Sequence, residues 1–409
     1  MGSLKKLGAV PFYKSNTHII KANQIASRLL EVSKVEIKKS RAAYIRKLAS
    51  KMKKQLKPNP VYSNPFSILE LDQAISDMKN SKAPGLDEMF TEFLKNFGPV
   101  TRNWILQLFN EILLTNRMPN LFKRSKVIAV LKPGKTGSQA ADFRPISLLS
   151  ITYKLLERIL LNRIQPVINQ HLPVEQAAFR TVRSCSDQVL ALTTYIEKGY
   201  QIKLKTFTMF VDLSAAYDTV WKHGLITKLS KIVPCKKIVD LVDNMLSNRF
   251  FQVDLDGSKS NWRRLNNGLP QGSVLAPSLF NLYISDLPVT LSIKFLFADD
   301  LALAIQCSSF EEAEQILLQD LQTINTYYTN WRLKLNASKT EVSAFHLNNQ
   351  LANKKLKIVF EGVELFHNPN PKYLGVTLDR SLTFKQHLNK TSKKLSSRIN
   401  IFQKLAGVS

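Results

Sequence analysis

The chain has 409 residues, enough for a full hydrophobic core and two or three subdomains, and it carries 58 Lys+Arg against 31 Asp+Glu for a net charge of +27. That balance points to a polyanionic partner, nucleic acid first, and argues against an ordinary near-neutral enzyme of small molecules. Cys185, Cys235 and Cys307 are scattered and form no C-x-x-C pair, against a disulfide framework or a cysteine zinc site, and no apolar run reaches the roughly 18 residues of a membrane span.

The first residues lack the apolar stretch of a signal peptide, and Lys6 stands where a myristoylation signal needs Ser or Thr. An intracellular protein is expected, in nucleus or cytoplasm, not secreted and without a membrane partner. Residues 1–60 read as a basic helical N-terminal extension, with ten Lys or Arg and two Glu between Glu31 and Pro60. Within it, Lys51, Lys53, Lys54 and Lys57 of KMKKQLK suit a nucleic-acid backbone, a nuclear-import signal or a solvated helix face. Pro58, Pro60 and Pro65 punctuate a linker, after which Ser67 and Glu70 form a capping box for a helix towards Lys79.

Helices are predicted at 88–97 and 100–116, then a strand at 125–132, a basic polar loop through Phe143, and helices at 151–169 and 187–198. A buried strand at 206–212 ends on Asp212. A helix from Ser214, a hairpin turning at Asp256-Gly257, the loop NGLPQGSVLAP and another helix follow. In KFLFADDLALAIQC the apolar flanks read as two short buried strands, with Asp299 and Asp300 in the tight turn between them. A long helix from Ser309 to about Asn330 and strands at 340–347, 355–361 and 373–378 complete an α+β pattern, a sheet covered by helices on one face.

Adjacent carboxylates repel, and an unpaired carboxylate is costly to bury, although aspartate is also an ordinary turn residue. If the 206–212 strand neighbours the Asp-Asp hairpin, then Asp212, Asp299 and Asp300 converge at one sheet edge. Clustered hard oxygen donors suit Mg²⁺, which keeps several waters and is completed by substrate phosphates. Two such ions suit phosphoryl transfer.

Eight ordered blocks carry a resemblance: KAPGLDE, KPGK with FRPISLLS, EQAAFR, FVDLSAAYDTVW, NGLPQGSVLAP, FADD, NASKT and KYLGVTLD, spread over 82–379. Together they resemble the reverse transcriptases of non-LTR (LINE-type) retrotransposons, the jockey-like group in particular. The resemblance implies a right-hand polymerase fold: fingers with part of the palm at 61–205, palm at 206–380, and at 381–409 only the start of a thumb-like basic helix. It implies RNA-directed DNA polymerase activity with two Mg²⁺ ions, an RNA template, a DNA primer and dNTP substrates.

On that resemblance Asp212, Asp299 and Asp300 bind the metals, and Lys339 protonates the leaving pyrophosphate. Lys132 and Arg144 clamp the triphosphate, with Lys135 a competitor for the role of Lys132. Tyr217 is the gate against a 2′-hydroxyl, though alone it would read as a core aromatic. Gln271 packs against the incoming nucleotide, and Tyr373, Leu374 and Gly375 belong to a primer grip. The alternatives are a catalytically weak nucleic-acid-binding remnant of such an element and an RNA-dependent RNA polymerase.

Overall fold

In the computed structural model the described residues are 20–34 and 37–406; expectations for the remaining positions lie outside them. The strand Lys205–Val211 is the middle of a five-stranded sheet ordered Phe366–His367, Glu341–Phe345, Lys205–Val211, Asp300–Cys307, Ile293–Phe297. Its pairings are antiparallel except at the Phe366–His367 edge.

Near-continuous apolar runs such as FTMFV and LALAI signal burial on both faces, and both are covered. Phe207, Met209, Leu301 and Leu303 share one core with Leu317, Leu321 and Ile324 of the helix Phe310–Asn330. On the other face Ala302, Ala304 and Phe345 pack with Leu192 and Ile196 of the helix Cys185–Gln201. This corrects the expectation of helices on one face only.

A second five-stranded sheet joins Phe143–Leu148, Arg124–Leu131, Arg249–Leu255, Ser258–Lys259 and Arg263–Leu265. Arg124–Leu131 and Arg249–Leu255 run parallel although far apart in sequence. One face, with Val127, Phe143, Phe251 and Val253, packs under Ile25 and Ala26 of the helix Ala22–Ser33. The helix Lys39–Gln55 lies against Lys222–Ile232, so the described part of the basic N-terminal segment is docked on the body.

Ser67 caps the helix Ile68–Ser76 as its capping box requires, and the Glu70 side chain also accepts from Arg163 Nε at 2.6 Å. Where one helix was expected from Ser214, the chain forms Ala216–Thr219, Lys222–Ile232 and Lys236–Met245, the last two separated at Pro234. The strand expected at 373–378 is a hairpin of Lys372–Tyr373 and Val376–Thr377. The basic helix Lys385–Leu405 follows. No described helix is long and apolar enough to cross a membrane.

Candidate active site

The ladder between Lys205–Val211 and Asp300–Cys307 ends with Val211 opposite Leu301, so the next register position sets Asp212 opposite Asp300. Residues so placed have Cβ atoms about 4.5–5.5 Å apart. Phe297 pairs with Asp300 across the hairpin, which makes Ala298 and Asp299 the two turn residues. The expected Asp-Asp turn is therefore shifted by one residue: Asp299 is in the turn and Asp300 opens the strand. Ala298 adopts φ 56°, and its N–H donates to Gln176 Oε1 at 2.9 Å while Gln176 Nε2 donates to its carbonyl at 3.3 Å. Gln176, from EQAAFR, thus holds the turn in a conformation that alanine seldom adopts alone.

Burial raises the carboxyl pKa of all three aspartates, and carboxylate charge adds to it at Asp299 and Asp300. Partial burial, then the charges of Asp299 and Asp212, push the Asp300 carboxyl up to about 6. Burial and the Asp212 charge raise Asp299 as well. Burial raises Asp212, opposed by the positive charge of Lys339 and a hydrogen bond with the Asn336 side chain. The NASKT turn is docked here through its backbone: Asn336 N–H donates to Asp212 O at 2.9 Å, and Asp212 N–H donates to Thr340 Oγ1 at 3.3 Å.

Cations gather beside this negative edge. The Lys132 ammonium donates to Ala141 O at 2.8 Å; burial, then the charges of Lys339, Arg144, Arg28 and Lys135, hold its pKa below the usual lysine range. Lys132 therefore lies in the field of Lys339, which in turn acts on Asp212. Lys135 and Arg144 contribute to the same positive field.

Among the described residues no three His, Cys, Asp or Glu side chains close on one metal position. The convergence is a facing pair, Asp212 and Asp300, with Asp299 beside it. That still fits Mg²⁺, which needs only one or two carboxylates and takes its other ligands from water and substrate phosphate. Burial first, and at Asp299 and Asp300 the neighbouring carboxylate charge, raise these pKa values, and a bound cation would offset both.

Tyr217 stacks on Phe280, with ring centroids 4.7 Å apart and planes 12° from parallel, and burial followed by the Asp299 charge pushes its hydroxyl pKa up. The Gln271 loop is locked to the same turn: Leu269 N–H donates to Tyr217 O at 2.8 Å and Gly268 N–H to Val220 O at 2.7 Å. Ser147 N–H donates to Gln271 O at 2.9 Å, linking the loop to the strand that bears Arg144. At Gly268, φ is 81° and a Cβ would meet Asp218 O at 2.7 Å, so this close approach requires glycine.

Three supporting residues were not singled out from sequence. Asp218 accepts from Gln271 Nε2 at 3.4 Å, and burial pushes its carboxyl up to about 6 against Gln271 and Arg249. Arg249, from the second sheet, donates to the carbonyls of Asn267 and Gly268. Glu157 accepts from Ser273 Oγ at 2.5 Å and from Val274 N–H at 2.8 Å. Their signal lies in hydrogen bonds between segments 18 to 117 residues apart, which no local pattern displays.

Leu374 and Gly375, with φ 44° and 94°, form the tip of the 372–377 hairpin. Tyr373 is buried against Phe210 with ring centroids 5.5 Å apart, and Asp300 is among the groups that raise its hydroxyl pKa. The N-terminal lysines divide. Lys51, Lys54 and Lys57 are exposed, whereas Lys53 is committed to Asp240 at 2.9 Å and Asp243 at 2.6 Å, which corrects its assignment to a free cationic patch. No hydrogen bond or ion pair among the described residues links these four lysines to Asp212, Asp299 or Asp300.

Residues 130–378 match a family model described as reverse transcriptase (RNA-dependent DNA polymerase). A probable RNA-directed DNA polymerase from transposon BS of Drosophila melanogaster is 33% identical over 346 residues, covering 82% of this chain and 38% of the relative. The RNA-directed DNA polymerase from mobile element jockey of Drosophila funebris is 28% identical, with coverage of 82% and 38%. A probable RNA-directed DNA polymerase from transposon X-element of Drosophila melanogaster is 29% identical, with 82% and 37%. The chain thus spans under two fifths of the length of these relatives.

Proposed function

The chain belongs to the reverse transcriptase (RNA-dependent DNA polymerase) family, and from that premise we propose that it is the polymerase segment of a jockey-like non-LTR retrotransposon protein, adding deoxynucleotides to a primer 3′-hydroxyl on an RNA template. The observation that carries this reading is the register that sets Asp212 opposite Asp300, with Asp299 adjacent and Lys339, Lys132 and Arg144 in one positive field beside them.

In this reading the sheet of residues 206–380 is the palm, 61–205 supplies the fingers, 1–60 is a basic extension, and the helix after 381 begins a thumb. Asp212, Asp299 and Asp300 would hold two Mg²⁺ ions, which would supply activation of the 3′-hydroxyl and neutralisation of phosphate charge. Arg144 offers a bidentate fork and Lys132 a point charge to the triphosphate. Lys339 gives a proton to the leaving pyrophosphate oxygen. Tyr217, backed by Phe280, presents a fixed ring where a ribose 2′-hydroxyl would sit, and Gln271 is held against the same turn. The Leu374-Gly375 tip lies on a hairpin beside the Asp300 edge and orients the primer end. Nucleus or cytoplasm is the compartment proposed for it.

Primer extension on an RNA template with Mg²⁺ and dNTPs tests the reading. The wild-type chain should extend, and Asp212→Asn or Asp299→Asn should abolish extension while sparing nucleic-acid affinity, because the basic surface is untouched. Extension by either variant at the wild-type rate would remove the metal assignment. Binding without extension by the wild type would leave the remnant reading.

A further inference from the structure

Resting on the polymerase reading, we propose that Lys228 is a positioning residue for the reaction: its ammonium, caged among three aromatic rings, locks the end of the helix Phe310–Asn330 and so holds the NASKT turn, with Lys339, against Asp212. Lys228 acts through that turn and not by touching substrate, since its own side chain is 3% exposed.

The cage joins three helices. Lys228, on Lys222–Ile232, donates to Tyr283 O at 2.5 Å, to Asp286 Oδ1 at 2.5 Å and to the Tyr327 hydroxyl at 2.7 Å, which uses all three of its N–H groups. Its Nζ stands 3.9 Å from the centroid of the Trp331 ring, 4.8 Å from that of Tyr327 and 5.1 Å from that of Tyr283. Tyr283 ends the helix Ala276–Tyr283 that leaves the Gln271 loop, and Trp331 caps the C-terminus of Phe310–Asn330. The Tyr283 hydroxyl donates to Trp331 O. Arg41 Nε donates to Asn330 O at 2.9 Å, and its guanidinium lies 5.8 Å from the centroid of the Trp331 ring. The helix end is thus held by Lys228, Tyr283 and Arg41 together.

From that fixed point the chain runs directly to the carboxylates. Leu333 N–H donates to Tyr328 O at 2.9 Å, Ser214 N–H donates to Lys334 O at 2.9 Å, Leu335 bridges Leu213, and Asn336 N–H donates to Asp212 O at 2.9 Å. Every step from the caged ring to Asp212 is therefore a backbone contact, and Lys339 follows in the same turn. A buried cation is a poor choice for stability alone. Burial pulls the Lys228 pKa down to about 8, opposed by the charge of Asp286 and the hydrogen bond to it, and an apolar side chain of similar length would fill the space without that desolvation. What an apolar chain cannot do is choose a direction. Three directed donors and a cation over the Trp331 face select one arrangement of the three helices, and the turn inherits it.

Lys228→Met in the full chain tests this. The variant should keep its fold and its urea midpoint, yet kcat for single-nucleotide addition should fall at least about tenfold while KM for dNTP changes less than about twofold, the split expected when a reacting group is misplaced and no substrate contact is lost. Hydrogen exchange gives a second readout that needs no catalysis: amides of 332–340 and of Ser214 should exchange faster in the variant, while those of the strand Lys205–Val211 keep their protection. Tyr327→Phe, which deletes one acceptor of the cage, should show both changes in smaller degree. Wild-type kcat in folded Lys228→Met overturns the assignment, and so does wild-type exchange at 332–340. Should Lys228→Met fail to fold, Tyr327→Phe decides by the same two measurements. Absence of extension by the wild type would remove the polymerase reading, and the exchange comparison would still decide whether the cage holds the turn.

Discussion

Glu157 ties a buried carboxyl to the Gln271 loop, and its titration should be visible in the stability of the whole fold. It is 2% exposed, and burial pushes its carboxyl from 4.5 up to about 7, against the hydrogen bonds from Ser273 and Val274 and the charges of Lys154 and Arg249. Between those values the folded chain holds a proton that the unfolded chain releases. The contribution to stability is therefore fully present below about 4.5 and is lost as pH rises through about 7, an effect of at most about 3 kcal/mol. Glu157→Gln offers a carbonyl to Val274 N–H and an amide to Ser273 without titrating. Its urea-unfolding free energy should fall less steeply between pH 5 and pH 8 than that of the wild type, by about one proton's share. Equal slopes would mean that Glu157 stays ionised in the fold. Arg249 makes a complementary case: removing its buried guanidinium by Arg249→Leu leaves the Asn267 and Gly268 carbonyls unpaired and Asp218 uncompensated, and should destabilise by about 3–5 kcal/mol in the same assay.

At the scale of elements, the basic helix Lys39–Gln55 and the residues just after it carry two kinds of lysine that the sequence could not separate. Lys53 pins it to Asp240 and Asp243 of the helix Lys236–Met245, while Lys51, Lys54 and Lys57 face solvent. Neutralising the exposed three to Gln should lower the log–log salt slope of RNA binding by about two units, at roughly 0.7 for each phosphate no longer neutralised. Lys53→Gln should leave that slope unchanged and instead lower stability by roughly 0.5–1 kcal/mol, since the pair is only half-buried. An unchanged slope for the triple variant would mark the helix face as merely solvated. The same contrast explains what is legible in advance. The Ile68–Ser76 helix and the Lys205–Val211 strand follow local rules, a cap and an apolar run, and both can be read from the sequence. The strand Phe143–Leu148 has no counterpart among the elements predicted from sequence, which pass from a loop ending at Phe143 to a helix at 151; it is an edge strand, where Pro145, which lacks a ladder donor, is tolerated. The turns at Ala298 and Leu374 carry positive φ on residues that give no turn signal, so the pattern places one hairpin a residue late and reads the other as a strand. The aspartates are legible because they interrupt apolar runs; Asp218, Arg249 and Glu157 are not, because each acts on a segment distant in sequence.

The whole molecule carries excess positive charge. The net charge is +27, and among the described residues the helix Lys385–Leu405 packs on the hairpin strand Val376–Thr377, with Leu388, Leu395 and Phe402 exposed along it. A primer–template held by such a surface is retained by counterion release more than by burial, and counterion release weakens steeply with salt. Because weaker polyanion binding acts mainly on dissociation, salt should shorten each encounter before it slows the chemistry. The chain should therefore synthesise distributively. Under single-encounter conditions with a trap, products should be a few nucleotides long near physiological salt and lengthen several-fold at about 0.05 M, while the rate of first-nucleotide addition at saturating enzyme changes less than about twofold. Product lengths that ignore salt would mean that the duplex is enclosed by interactions other than charge, and the basic helix after Phe384 would be the first place to look for them.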